Sequence, residues 1–167
     1  MRTPPQRLLA GFLGTAAALL GCVAVLRMTH HPWLLPSLGG SCVILFGMPR
    51  GIMAQPRSFL GGHLLATVTG LLFRAAHGAV GAGPVELWVA AAVAAALTLM
   101  AATRTIHSPA GANPIVVFAE GADAQFLLAP LLPGLAVLFA VAFVTNNLAR
   151  PWGAGPWPRF LGGIRRR

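Results

Sequence analysis

The sequence predicts an all-α membrane protein with four full transmembrane helices and two short helices that are broken or re-entrant. Of its 167 residues, 56% are apolar and only 9% are charged, and the mean hydropathy is +0.75. A soluble domain carries about 25% charged residues, so this composition disfavours a soluble enzyme or a nucleic-acid-binding protein. At about 20 residues per helical crossing, the length leaves no room for a second, soluble domain.

Six apolar runs follow one another, and four of them are long enough to cross a bilayer. The long runs cover residues 8–26, 59–73 with an extension towards residue 77, 87–102, and 126–144. The short runs, residues 34–48 and 109–119, are interrupted by glycine and proline. We expect Pro130 and Pro133 to kink the last long helix, which a membrane bundle tolerates.

The first apolar run has an alternative interpretation as a signal peptide, because Leu19-Leu20-Gly21-Cys22 resembles a lipoprotein cleavage site. The rest of the chain is equally hydrophobic, so a retained helix is the simpler interpretation. Cys22 and Cys42 have no partner at a metal-ligand spacing and are interpreted as small core residues.

The charges indicate the topology. All 12 basic residues are arginines, against only three acids, Glu86, Glu120 and Asp123. If all six runs cross, ten arginines share one face and only Arg27 and Arg74 lie on the other; if the short runs are re-entrant, the division is eight to four. Both counts predict cytoplasmic termini and a multipass protein of the inner membrane, with the bilayer, and no nucleic acid, as partner.

The chain also contains an internal repeat. The pattern R-x-x-H-x-P occurs at Arg27 to Pro32 and again at Arg104 to Pro109, each time directly after a long apolar run. A short interrupted segment and a second long run follow in both places. We therefore predict a cytoplasmic N-terminus (1–7), a transmembrane domain (8–150) with halves of about 8–77 and 85–150, and a basic cytoplasmic tail (151–167).

Paired, interrupted short segments in two halves are the sequence pattern of a transporter binding site. Glycine allows close approach to the backbone, helix N-termini attract negative charge, and arginine and histidine add donors or carry a proton. The alternative is that the arginines snorkel to the interface and the histidines cap helices. The candidate anion-binding residues are Arg27, His30, Gly39, Gly40, Ser41, His63, Arg104, His107, Ser108, Gly111 and Asn113.

Three blocks of the chain resemble the HPP family of small integral membrane proteins, which is named for a His-Pro-Pro motif. The similar blocks are His107-Ser108-Pro109-Ala110-Gly111-Ala112-Asn113-Pro114, the stretch from Gly39-Gly40-Ser41-Cys42 through Gln55-Pro56-Arg57 to Gly61-Gly62-His63, and Asn146-Asn147-Leu148. The sequence departs from the motif at Ser108, where the family has its first proline. The resemblance implies a multipass protein with four membrane helices and a role in nitrite transport.

These observations together predict a transporter or channel for a small inorganic anion, with nitrite as the leading candidate. Two alternatives stay open, an accessory subunit of a membrane complex and a membrane-embedded metalloenzyme. Catalytic motifs such as H-E-x-x-H, G-x-S-x-G and the Walker loop are missing from the sequence, so we expect no enzyme activity, no metal and no cofactor. A homo-oligomer is compatible with the sequence.

Overall fold

The computed structural model describes residues 5–30, 35–148 and 157–158, and every regular element within these ranges is helical. Six α-helices follow in chain order: α1 (Pro5–Thr29), α2 (Leu35–Cys42), α3 (Pro56–Val80), α4 (Val85–Thr103), α5 (Asn113–Ala119) and α6 (Leu132–Leu148). A π-helical turn, Val43–Gly47, extends α2, and a 3₁₀ turn, Ser108–Ala112, precedes α5. The predicted tail, residues 151–167, lies outside the described residues except for Trp157 and Pro158.

Four helices are long and apolar enough to cross a membrane, as the sequence predicts: Pro5–Thr29, Pro56–Val80, Val85–Thr103 and Leu127–Leu148. The first three of these helices are longer than the apolar runs, because flanking polar residues such as Arg57 and Thr103 also adopt helical backbone conformation. The last span begins with a π-helical turn, Leu127–Leu131, in which Ala129 leaves helical geometry before Pro130. Pro133 lies in the first turn of α6, where its missing N–H costs no helical hydrogen bond.

The helices α3 and α4 are antiparallel neighbours. At one end, the Arg57 guanidinium donates a 2.8 Å hydrogen bond to the carbonyl of Thr103, the last residue of α4. At the other end, the rings of Phe73 and Trp88 are 6.5 Å apart. Gly81, with φ of +64°, ends α3 in the left-handed region that glycine adopts without strain.

The helices α1 and α6 form a second antiparallel pair. A β-carbon on Gly14 would lie 2.7 Å from the Thr145 methyl group, while the Cys22 thiol lies 3.7 Å from the Gly134 carbonyl oxygen. The N-terminal end of α1 and the C-terminal end of α6 therefore lie at the same end of the bundle.

The segment from Thr105 to Phe118 runs alongside α3 in the same direction. Thr105 packs on Gly61, Pro114 packs on Gly70, and the ring of Phe118 lies 6.2 Å from that of His77. Sixteen residues separate Gly61 from His77 along α3, which corresponds to about 24 Å. This short segment traverses most of the bundle instead of turning back.

The other short segment, α2 with its π-helical turn, runs antiparallel to α1. Leu38 packs on Gly134 at the level of Cys22, and Phe46 packs on Gly14 further towards the N-terminus of α1. Asn146 of α6 donates a 3.0 Å hydrogen bond to the Leu45 carbonyl, which satisfies a backbone acceptor in the π-helical turn. The loop after this segment therefore lies at the same end of the bundle as the N-terminus of α1.

The six segments thus alternate in direction along the chain, so the three elements of the second half run opposite to those of the first. An inverted repeat requires this alternation, and the repeat itself stays a prediction. The exact boundaries of the halves, and the side of the membrane on which each terminus lies, stay predictions.

Candidate functional site

The two short segments meet inside the bundle. The Ser37 hydroxyl of α2 donates a 2.7 Å hydrogen bond to Asn113 Oδ1 and lies 3.0 Å from the Pro109 carbonyl oxygen. A β-carbon on Gly40 would lie 3.1 Å from Pro109 Cβ, so this glycine lets the two segments approach closely. The sequence predicts this meeting from the paired interruptions in the two halves.

At the junction, the Ser41 hydroxyl lies between two imidazole rings. Its Oγ is 2.9 Å from Nε2 of His63 on α3 and also 2.9 Å from Nε2 of His107, which precedes the 3₁₀ turn. The centroids of the two rings are 5.1 Å apart. Two imidazoles, from two different segments, therefore contact one hydroxyl oxygen on a third segment.

The outer nitrogens of the two rings determine which atoms carry protons. His107 Nδ1 lies 2.8 Å from the Met53 carbonyl oxygen, which can only accept, so Nδ1 carries a hydrogen. His63 Nδ1 lies 3.0 Å from the Asn113 amide nitrogen, which can only donate, so Nδ1 of this ring is bare. In their neutral forms His63 donates to Ser41 and Ser41 donates to His107.

The chain of hydrogen bonds continues beyond the histidines. The Asn113 amide nitrogen also donates a 2.8 Å bond to Thr67 Oγ1, and the Ser41 hydroxyl lies 3.0 Å from the Ser37 carbonyl oxygen. We refer to six side chains as the histidine–serine network: Ser37, Ser41, His63, Thr67, His107 and Asn113. Each of them has at least one partner on another segment of the chain.

The histidine–serine network is closed to solvent in this structure. Ser37 is 1% exposed, and the other five side chains are fully buried. Phe59 seals one side, with its ring edge-on to His63 and His107 at centroid distances of 5.5 and 5.4 Å. Buried polar groups are costly unless they are fully paired, which accounts for the complete pairing here.

The network contains only uncharged polar groups and imidazoles. Among the described residues, no arginine and no carboxylate forms a hydrogen bond with it; the nearest basic residues along α3, Arg57 and Arg74, donate to the carbonyls of Thr103 and Ala122. No group of three or more histidine, cysteine or acidic side chains within the described ranges could hold a metal ion.

The structure brings together four of the eleven candidate residues in direct hydrogen bonds, namely Ser41, His63, His107 and Asn113. Gly40 is next to them through its contact with Pro109. Gly39 and Gly111 have no atom within 4 Å of a β-carbon position, so neither glycine is needed for close packing.

The other candidates lie at the surface of the bundle. Arg27, His30, Arg104 and Ser108 are exposed and form no hydrogen bond with the network. His30 and Arg104 both have positive φ, 60° and 57°, and end α1 and α4 in the left-handed conformation. Both residues therefore lie at exposed helix ends, and their part in anion binding stays a prediction.

Sequence reasoning did not select Ser37 and Thr67 as site residues. Each lies four residues from a selected residue on the same helix, Ser37 from Ser41 and Thr67 from His63. Side chains four apart share one helix face, so extending each candidate by one turn would have found both.

The arrangement brings together hydroxyl, amide and imidazole groups, which can donate to a small anion once they leave their present partners. The pair Ser41 and His107 also has the hydrogen-bond order of a nucleophilic serine and its base. In this closed arrangement that hydroxyl is fully buried and lies 2.9 Å from Nε2 of both imidazoles.

Comparison with known proteins identifies relatives of this chain. The sequence profile of the HPP transmembrane region matches residues 1–153. A transmembrane protein of Dictyostelium discoideum is 35% identical over 121 residues, which cover 70% of this chain and 42% of the relative. A second transmembrane protein of that organism is 29% identical over 146 residues, or 85% of this chain and 47% of the relative. The chain thus spans less than half the length of these curated relatives, and no solved structure matches it.

Proposed function

The chain belongs to the HPP transmembrane family and is a multipass membrane protein, and from that premise we propose that it transports a small inorganic anion. Nitrite is the leading candidate, because nitrite transport is what the family resemblance implies. The observation that carries the proposal is the Ser41 hydroxyl, 2.9 Å from Nε2 of both His63 and His107 where the two interrupted segments meet. Transporters commonly place the substrate between discontinuous helices of two inverted halves.

The depth of the histidine–serine network supports this role. His63 and Thr67 lie about 10 to 16 Å along α3 from its first residue, well inside a helix long enough to span the bilayer. Ionisable residues at such depth are costly and commonly mark a substrate or proton pathway.

The chemistry of the network favours an anion over a cation. Its hydroxyl, amide and imidazole groups can all donate hydrogen bonds, and none of the described carboxylates is bonded to it. A small planar monoanion such as nitrite can accept from two or three donors at once. Nitrate, formate and chloride have related chemistry and are alternative substrates to be tested beside it.

In this proposal the closed network is a state that is open to neither face of the membrane. Because its side chains are buried, the substrate enters only when the two short segments separate from each other or from α3. The contacts that must open include the one between Gly40 and Pro109. Opening to one face and then to the other gives alternating access.

The experiment is uptake of labelled nitrite into proteoliposomes that contain the purified protein. Wild-type uptake is expected to exceed that of empty vesicles, with nitrate, formate and chloride as competitors. Ser41→Ala should lower the flux about tenfold or more, since a hydrogen bond to a charged group is worth about 1.5–3 kcal/mol. Ser58→Ala, at a buried serine outside the network, should retain the flux. Wild-type uptake no greater than that of empty vesicles would reject the proposal.

We further propose an inner-membrane location with both termini in the cytoplasm, because alternating segments give the ten-to-two division of arginines and the positive-inside rule. The protein is proposed to act as a transporter without enzyme activity or nucleic-acid partner, alone or as a homo-oligomer. Purification only within a larger complex would favour the accessory-subunit alternative.

A further inference from the structure

The histidine–serine network lacks a fixed positive charge. The arginines that approach it along α3 donate to backbone carbonyls, Arg57 to Thr103 and Arg74 to Ala122, while Arg27 and Arg104 are exposed. An anion enclosed here would therefore be an uncompensated charge in a low-dielectric site, which is strongly unfavourable. The groups of the network that can become cationic are its two imidazoles.

The hydrogen-bond pattern can accept one more proton at a single position. His63 already carries hydrogen on Nε2, and its Nδ1 receives the amide nitrogen of Asn113, so protonating this ring requires that amide to turn over. His107 carries hydrogen on Nδ1, and its Nε2 faces only the Ser41 hydroxyl. A proton on Nε2 therefore needs only a rotation of that hydroxyl.

The rotation has an acceptor already in place. When His107 Nε2 becomes a donor, Ser41 can accept from both imidazoles and turn its own hydrogen to the Ser37 carbonyl oxygen, 3.0 Å away. Every heavy atom stays where it is, and every polar group stays paired. The network therefore has a neutral form and a singly protonated form with the same geometry.

We propose that the anion crosses together with one proton, which is held on Nε2 of His107 while the site is occluded. This inference rests on the proposed transport function. The proton comes from water at one face, forms an N–H bond at Nε2 and leaves to water at the other face with the anion. The occluded complex is then neutral, and transport moves no net charge.

The groups that face His107 are consistent with this role. The helix α3 contributes His63 and Phe59, α2 contributes Ser41, and the turn before α3 contributes the Met53 carbonyl. Within the described part of the chain, no acid and no arginine makes a hydrogen bond to this imidazole. His63 is the titratable group that contacts it.

The test uses wild-type proteoliposomes with imposed gradients, and uptake by empty vesicles is subtracted because the undissociated acid crosses lipid. A proton gradient directed inward should raise nitrite uptake several-fold. A potassium diffusion potential of either sign should change uptake less than twofold. Uptake that follows the potential and ignores the proton gradient would overturn the inference while leaving the transport function intact, whereas no flux under any gradient would overturn both.

A variant locates the proton. His107→Gln retains a polar side chain beside Ser41 but cannot be protonated, so stimulation by the proton gradient should disappear. Thr69→Val on α3, whose hydroxyl bonds within its own helix, is the matched control and should keep the stimulation. Undiminished stimulation in His107→Gln would contradict the assignment. If this variant does not fold, the wild-type voltage measurement still decides the question.

Discussion

The contribution of a single polar residue to stability depends on whether its hydrogen bond connects two segments or stays within one helix. Thr67 and Thr69 lie two residues apart on α3, and both are buried. Thr67 Oγ1 accepts from the Asn113 amide at 2.8 Å, while Thr69 Oγ1 donates to the Leu65 carbonyl one turn earlier. The same chemical group thus has a tertiary role at one position and a local role at the other.

Replacing these threonines by valine should separate the two roles. Thr67→Val leaves an Asn113 amide hydrogen without its acceptor, so we expect the free energy of unfolding to fall by about 1–2 kcal/mol. Thr69→Val should change it by less than about 0.5 kcal/mol, because the Leu65 carbonyl keeps its helical partner. Reversible unfolding in mixed micelles measures both. Equal losses would show that the connection to Asn113 contributes nothing particular.

At the scale of elements, glycines on α3 set how closely the segment before α5 can pack. A β-carbon on Gly62 would lie 2.8 Å from His107 Cβ and 2.8 Å from the Thr105 carbonyl oxygen. Gly78, near the other end of the same helix, has no atom within 4 Å of its β-carbon position. Gly62 is therefore required for close packing, and Gly78 on the same helix is not.

Alanine substitutions test this difference. Gly62→Ala should cost about 1–3 kcal/mol of stability through overpacking and displace His107 from Ser41. Gly78→Ala should be neutral or stabilising by up to about 1 kcal/mol, since alanine favours the helix. Thermal unfolding of both variants in detergent measures the contrast. A Gly62→Ala protein as stable as the wild type would mean that the close approach has no energetic importance.

The sequence predicts the order of elements well because hydropathy and glycine or proline interruptions directly determine which segments span. The sequence predicts less well which residues meet at the site. The two copies of the R-x-x-H-x-P motif show the reason. His30 and His107 occupy equivalent motif positions, but α1 ends at Thr29 and α4 ends at Thr103, directly before Arg104. The helix ends are thus offset by three residues relative to the motif. His30 therefore lies at an exposed helix end, whereas His107 follows an extended turn into the interior.

One-turn spacing marks Ser37 and Thr67 as residues near a candidate, but their partners, and the contact of the Met53 carbonyl, lie beyond what the sequence specifies. Each is a partner from a different segment, and its selection depends on the packing of α2, α3 and the turn between them. Periodicity along one helix shows which residues share a face, but does not show which face meets another segment.

At the scale of the whole molecule, the account depends on the two halves running in opposite directions. The four-crossing alternative places the loop after α2 on the face opposite the N-terminus. The structure places it at the same end of the bundle as the start of α1 and the end of α6. With this alternation the two short segments reach the histidine–serine network from opposite ends of the bundle.

Labelling of single cysteines with a membrane-impermeant maleimide in sealed, oriented vesicles tests this claim most directly. Suitable exposed positions are Ile52 in the loop, Leu148 at the end of α6, and Ala82 between α3 and α4; the native Cys22 and Cys42 are buried and provide the background. The account predicts that Ile52→Cys and Leu148→Cys react from the same side and Ala82→Cys only from the other. Reaction of Ile52→Cys from the same side as Ala82→Cys would contradict it.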